Sequence, residues 1–275
     1  MPDEKTYTLF AGVNGAGKST FYRDLSENTT DRPFGIRINS DEIVQAKFDH
    51  DWKNPNAQMA AGREAVKMVR ECLNGDKSFN QETTLTGRTI ITNIEKAKAN
   101  GFNVNLFYVG LESAQLSMDR VAAREIKGGH GIPVEDLQRR YSASFENLKQ
   151  VLPLCDTVQV FDNSGKGFDV NKPLMMVLDG ELTIYDKNMP EYLKDVLGEY
   201  ASSLRPTHAL QHGNSKENNV VVDQITEKPL GGNHNSMEGY LRNISAMRDK
   251  DKSSNMGGDN KSINIGRNIK GKEDR

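Results

Sequence analysis

No run of 18 apolar residues occurs in the chain, so no membrane-spanning helix is expected. Cysteine is scarce. Cys72 and Cys155 are the only two, both on apolar-looking segments, and read as small buried fillers, not a disulfide. Hydrophobic residues make up 36% of the 275, too few for a chain packed along its whole length, so part of it is expected to lie outside a core. An excess of one charge is also missing. The formal net charge is −2, which excludes a general polyanion binder. The first ten residues, MPDEKTYTLF, lack the basic and apolar regions of a signal peptide, and a cytoplasmic protein is expected.

What is present has an alternating rhythm. YTLFAG, GIRINSD, SFNQET, NVNLFYVGL and TVQVFDNS read as strands. Between them lie helical patterns, including one at 134–151 and one at 56–73 with a mixed stripe of Met59, Ala60, Arg63, Val66, Lys67, Val69 and Leu73. PLMMVLDGELTIYD reads as a hairpin turning at Asp179 and Gly180, and MPEYLKDVLGEYASSL as a last helix. Strands alternating with helices predict an α/β fold with a parallel sheet flanked by helices. Residues 1–205 are expected to form one domain. Residues 206–275, rich in Asn, Gly, Ser and Lys and nearly balanced at 11 Lys+Arg against 9 Asp+Glu, are expected to be a largely disordered tail.

The most informative stretch is FAGVNGAGKST. Gly12-x-x-x-x-Gly17-Lys18-Ser19 follows a strand and opens a helix, which is the context of a phosphate-binding loop. Gly12, Gly15 and Gly17 free the backbone, so that the loop (Asn14, Ala16 and Thr20 included) wraps phosphates with its N–H groups at a helix start. Lys18 adds charge against the β and γ phosphates. Ser19 offers a hydroxyl to Mg²⁺. ATP and Mg²⁺ are the expected cofactors.

The absences then narrow the chemistry. VNLFYVG, the best core strand, ends at Gly110 with no acid, and no Asn-Lys-x-Asp motif or ABC-type signature appears. Instead Asp41 follows the second strand and Glu82 ends the third, both facing the crevice at the carboxyl ends of the sheet. A carboxylate there would take a proton from a hydroxyl attacking the γ phosphate; the bland alternative for Asp41 is a helix N-cap. Arg120 and Arg124 share a helix face. Arg139 and Arg140 lie beyond KGGHGIP on the next helix, so the two helices read as a lid whose arginines clamp the migrating phosphoryl group. Arg88, after the third strand, is a candidate substrate contact. Glu42 reads as a solvated first-turn residue.

Taken as an ordered set, GVNGAGKST, NSDEI, NQETTLTG, RVAAREIKGGHGIPVEDLQRRY and VFDNS resemble the zeta-toxin family of P-loop kinases, in its chromosomal zeta-like branch, over residues 6 to 165. The resemblance implies an adenylate-kinase-like P-loop fold with an arginine-bearing helical lid. It implies transfer of the ATP γ-phosphate to the 3′-hydroxyl of UDP-N-acetylglucosamine by the toxin of a toxin–antitoxin system, with an antitoxin protein as partner. By this match Asp41 falls on the general base, Lys18 and Ser19 on the phosphate and Mg²⁺ positions, and Glu82 and Thr84 on substrate positions. Arg124 and one of Arg139 or Arg140 fall on the lid arginines, with Arg140 the choice, and Asn163 and Ser164 line the adenine side. Plasmid-type members tend to carry an arginine where this chain has Thr86, with Arg88 two residues on. Two alternatives stand beside this reading: a kinase of another small alcohol, such as a nucleoside or antibiotic, and a nucleotide-binding regulatory protein.

Other features carry less. His208 and His212 are four apart without a third metal ligand. His130 lies within the lid, Trp52 reads as core cover, and a tail helix at Met237 to Arg248 would be placed to block the nucleotide site in cis. The nearly balanced tail has one aromatic, Tyr240, so nucleic acid is not an expected partner.

Overall fold

A computed structural model describes residues 5–27, 34–49, 51, 54–165, 170, 172–178, 180–186 and 189–204. The expectations for Trp52, His208, His212 and residues 206–275 lie outside them.

Seven strands form one sheet in the order β2-β3-β1-β4-β5-β6-β7. They are β1 (Thr6–Ala11), β2 (Ile36–Ile38), β3 (Phe79–Thr83), β4 (Asn103–Gly110), β5 (Thr157–Asp162), β6 (Met175–Leu178) and β7 (Glu181–Ile184). The first five run parallel, and β6 and β7 add antiparallel at one edge. The connecting helices are α1 (Lys18–Glu27), α2 (Ser40–Lys47), α3 (Pro55–Asn74), α4 (Arg88–Ala99), α5 (Ala114–Ile126), α6 (Val134–Val151) and α7 (Glu191–Ser203). All but the first residue of β4 are buried, as expected of a strand covered on both faces. One face carries an aromatic cluster of Phe10, Phe21, Phe34, Phe107 and Phe161, with Phe10 and Phe107 stacked at 5.2 Å. On the other, Tyr7, Leu9, Ile38 and Val158 of the sheet pack with Val69 of α3, Ile94 of α4, Leu148 of α6 and Leu193 of α7. No helix among the described residues is long and apolar enough to cross a membrane. Both cysteines are free thiols, as expected, and burial pushes both thiols up from their ordinary pKa.

Two local expectations are corrected. The strand read through GIRINSD stops at Ile38, and α2 begins at Ser40. The cause is Asn39, whose side-chain oxygen accepts from the backbone N–H of Asp41 and starts the helix there. The stripe on α3 is also different. Ala57, Ala61, Ala65, Val69, Cys72 and Leu73 are buried, while Met59 and Val66 face out at 58% and 47% exposure. Val69 and Leu73 of the expected stripe are therefore on the inner face, and alanines every fourth residue let the first half of α3 lie close on its neighbours. The hairpin is present, with Leu178 opposite Glu181 and Gly180 at φ +77°.

Candidate active site

The site lies at the carboxyl ends of β1, β3, β2 and β4. Strand β1 ends at Ala11, the loop runs from Gly12 to Gly17, and α1 starts at Lys18. Gly12 has φ +139°, and a Cβ there would lie 2.1 Å from the Val109 carbonyl oxygen of β4. Gly17 has φ +91°, and its Cβ would meet Asn163 Nδ2 at 2.8 Å. Only glycine lets the loop fit this tightly against the strand beside it.

Neighbouring side chains brace the loop from outside. Ser117 Oγ donates to Asn14 O at 2.7 Å, and Asn163 Nδ2 donates to Ala16 O at 2.9 Å. Arg120 Nη2 donates to Asn163 O at 2.7 Å, and its Nη1 reaches Gly15 O at 3.5 Å. Arg120 and Asn163, expected to touch nucleotide, thus spend these groups on the backbone of the loop and of the turn after β5. Ser164 Oγ bonds to Asp162 and accepts from Glu112 N, and Tyr192 OH donates to the same Asp162 oxygen at 2.6 Å. Asn14 Oδ1 is buried without a partner among the described residues. Thr20 is exposed on α1.

Lys18 is 7% exposed, and its Nζ donates to Val13 O at 3.0 Å. Burial lowers its pKa; Glu82 and Asp41 push it back up, and Arg124 and Arg37 lower it. The ammonium therefore lies in the field of charged side chains from β2, β3, α2 and α5.

Three carboxylates stand at the ends of β2 and β3, and they are not equivalent. Glu82, opposite Phe10 in the β1–β3 register, accepts from Ser19 Oγ at 2.8 Å through Oε1. Its Oε2 accepts from Arg37 Nη2 at 2.5 Å and Asn39 Nδ2 at 2.9 Å. Glu42 accepts from Arg37 Nε at 3.0 Å and Asn39 Nδ2 at 3.1 Å, so it is paired and not merely solvated. Asp41 is exposed, its backbone N–H is held by Asn39, and its carboxylate has no hydrogen bond among the described residues. Its charge nonetheless acts on both Lys18 and His130. Asp41 is not the N-cap; Asn39 is.

Residues 127–133 join α5 to α6 and fold back on α5. Arg124 donates to His130 O from Nε at 3.1 Å and from Nη2 at 2.6 Å. His130 Nδ1 lies 3.4 Å from Gln58 Nε2 in the first turn of α3, so this connection reaches across to the opposite wall. Burial lowers the His130 pKa; the Asp41 charge opposes this, and Arg124 and Arg140 reinforce it. The Arg140 side chain is 32% exposed, against 67% for Arg139, and both pair with Asp136, at 3.8 and 2.7 Å. Thr84 and Thr86 face each other at 3.0 Å between their hydroxyls, around Leu85, whose φ is +61°. Arg88 is exposed at the first position of α4, its carbonyl accepting from Thr92 Oγ1 at 3.5 Å and its side chain without a partner among the described residues.

A glycine loop against a parallel sheet, a buried lysine at the helix start and a carboxylate on the adjacent strand bonded to the following serine make this a P-loop NTPase fold. The AAA_33 family, described as an AAA domain, matches residues 8–148. The chain belongs to that family. It is also 34% identical over 134 residues to an uncharacterized protein of Haemophilus influenzae, a match covering 48% of this chain and 90% of that protein. Among solved structures it is similar in fold to the AvrRxo1-ORF1:-ORF2 complex with ATP, at TM-score 0.52 and 16% identity over 70% of this chain. The same complex with sulphate ions matches at TM-score 0.51 and 16% identity, again over 70% of this chain. The chain spans 63% of the length of each of those two chains.

The oxygen donors suit a small hard cation. Ser19 Oγ and Glu82 Oε1 lie 2.8 Å apart at the loop's mouth, and no cluster of three or more His, Cys, Asp or Glu built to cage a metal occurs among the described residues. Mg²⁺ is commonly held this way, by one or two protein oxygens, substrate phosphates and water. Sequence reasoning missed Arg37 and Asn39. The available signal was an arginine at the centre of an otherwise apolar strand, which must find a partner to be buried.

Proposed function

We propose that this protein is an ATP-dependent phosphotransferase whose acceptor is a hydroxyl group of a small molecule. The observation that carries the reading is the division of labour among the three carboxylates. Glu42 and Glu82 are tied to Arg37, while Asp41 is left without a hydrogen bond among the described residues and acts electrostatically on the buried Lys18. Simple nucleotide binding does not require a free carboxylate at that point. The fold shared with an ATP-bound complex supports ATP as the donor.

In this reading the loop N–H groups and Lys18 bind the triphosphate, and Asp41 orients the acceptor hydroxyl and takes its proton on a carboxylate oxygen. The acceptor oxygen forms its bond to the γ phosphorus as the bond to the β–γ bridging oxygen breaks, releasing ADP. Arg124 and Arg140 offset charge on the moving group while the 127–133 connection excludes water. Ser19 and Glu82 would hold Mg²⁺, which when bound supplies further charge neutralisation across the β and γ phosphates.

The preferred acceptor is a nucleotide sugar, UDP-N-acetylglucosamine at its 3′-hydroxyl, with Thr84 and Arg88 on the acceptor side; Glu82, which the resemblance put with the substrate, is taken to serve the cation side instead because it accepts from Ser19 Oγ. A toxin role restrained by an antitoxin protein follows from the same resemblance. The test is transfer from labelled ATP to UDP-N-acetylglucosamine and a panel of nucleosides and other alcohols. Asp41→Asn is expected to retain ATP binding and to lose transfer by about 10²–10⁴-fold. Transfer at the wild-type rate by that variant removes the assigned base. Growth inhibition on expression, lost in Asp41→Asn, supports the toxin role.

A further inference from the structure

We propose that Arg37 is a positioning residue that fixes the nucleotide side of the cleft against the acceptor side. The proposal rests on the phosphotransferase reading and extends it to a residue outside the loop and the lid.

Arg37 is the central residue of β2, paired with Asn80 of β3. Its side chain is 13% exposed, and its guanidinium is engaged on all sides. Nη1 donates to Asn80 Oδ1 at 3.1 Å, and Asn80 is itself oriented by donating to Phe34 O at 3.1 Å. Nη2 donates both to Glu82 at 2.5 Å and to Glu42 at 2.9 Å, while Nε also reaches Glu42 at 3.0 Å. The guanidinium plane lies over the Tyr22 ring of α1, its central carbon 3.7 Å from the centroid.

One cation thus joins two carboxylates with different duties. Glu82 accepts from Ser19 Oγ, the pair that would hold Mg²⁺. Glu42 sits one residue after Asp41 in the first turn of α2. Asn39 ties the same parts a second time, donating to Glu82 and Glu42 and accepting from Asp41 N. Two carboxylates sharing one guanidinium nitrogen repel each other once it is removed. Glu82 would then leave Ser19, and the turn carrying Asp41 would lose its reference to the loop. Lysine cannot replace Arg37 fully, because a point charge does not span three acceptors in a plane.

The experiment uses the full chain, with Mn²⁺ as the spectroscopic cation and ADP as the nucleotide. Mn²⁺ binding to the ADP complex is read by electron paramagnetic resonance, and ADP affinity is measured separately without metal. Arg37→Met is expected to raise the half-saturating Mn²⁺ concentration by about 10- to 100-fold while metal-free ADP affinity changes by less than about threefold; Arg37→Lys falls between the two. In the transfer assay kcat falls with little change in the KM for ATP. Mn²⁺ affinity unchanged in a folded Arg37→Met chain overturns the proposal. So does a parallel fall in metal-free ADP affinity, which assigns Arg37 to the fold alone. Should Arg37→Met not fold, Arg37→Lys and Arg37→Gln carry the same comparison, and failure of all three to fold also overturns it. The metal titration involves no acceptor. Ordered Mn²⁺ effects without any phosphate transfer would sink the kinase reading and leave Arg37 in place; the reverse pattern would do the opposite.

Discussion

Asn39 offers the sharpest test of the carboxylate network, because its two ends do different things. Its oxygen caps α2 at Asp41 N, and its NH₂ group donates to Glu82 and Glu42 at 2.9 and 3.1 Å. Asp is ordinarily as good an N-cap as Asn, so if capping were the whole role, Asn39→Asp would be neutral. In this site the change places a third carboxylate within hydrogen-bond distance of two others, at a position that is 7% exposed. The protein escapes the repulsion by protonating one of them. Holding a carboxylate protonated at pH 7, about three pKa units above its ordinary value, costs about 4 kcal/mol at 1.36 kcal/mol per unit. Asn39→Ala loses the cap, at about 1 kcal/mol, and the two donated bonds, for a total of about 2–4 kcal/mol. Asn39→Asp is therefore expected to be no more stable than Asn39→Ala, with a melting temperature about 8–16 °C below wild type for a domain of this size. Thermal melting and urea denaturation at neutral pH measure both variants. An Asn39→Asp chain within about 0.5 kcal/mol of wild type would refute the reasoning, since a shift that small is within ordinary surface-substitution scatter.

Gly12→Ala would push a Cβ to 2.1 Å from the Val109 carbonyl at φ +139°, and is expected to lose about 3–6 kcal/mol from strain and overpacking together; a wild-type urea midpoint would contradict this. His130, whose pKa burial holds below its ordinary 6.5, takes up its proton more readily in the unfolded chain. Folding stability is thus expected to decline as pH falls below 6.5 and to level off past the lowered folded value, and the decline should be shallower in His130→Gln when denaturation midpoints are compared from pH 7.5 to 5.

The sequence alone determined the parts governed by local spacing. Glycine positions and the lysine that follows them define the phosphate loop, because each constraint acts within a few bonds. The burial of β4 was legible in NVNLFYVG, and α6 begins and ends where its pattern does. The residue that starts α2 was not legible, because the start depends on one side-chain bond from Asn39 and not from Asp41. The inner face of α3 was read correctly at Val69 and Leu73 and missed at Ala57, Ala61 and Ala65, where large neighbours outweighed the alanines that allow close packing. Only the tertiary structure decided which acids are paired. Glu82 and Arg37 are 45 residues apart and meet because β2 lies beside β3 in a register that sets Arg37 against Asn80. That register depends on the hydrogen bonding of whole strands, so no local pattern announces it. It ties Glu42 and Glu82 down and leaves Asp41 free.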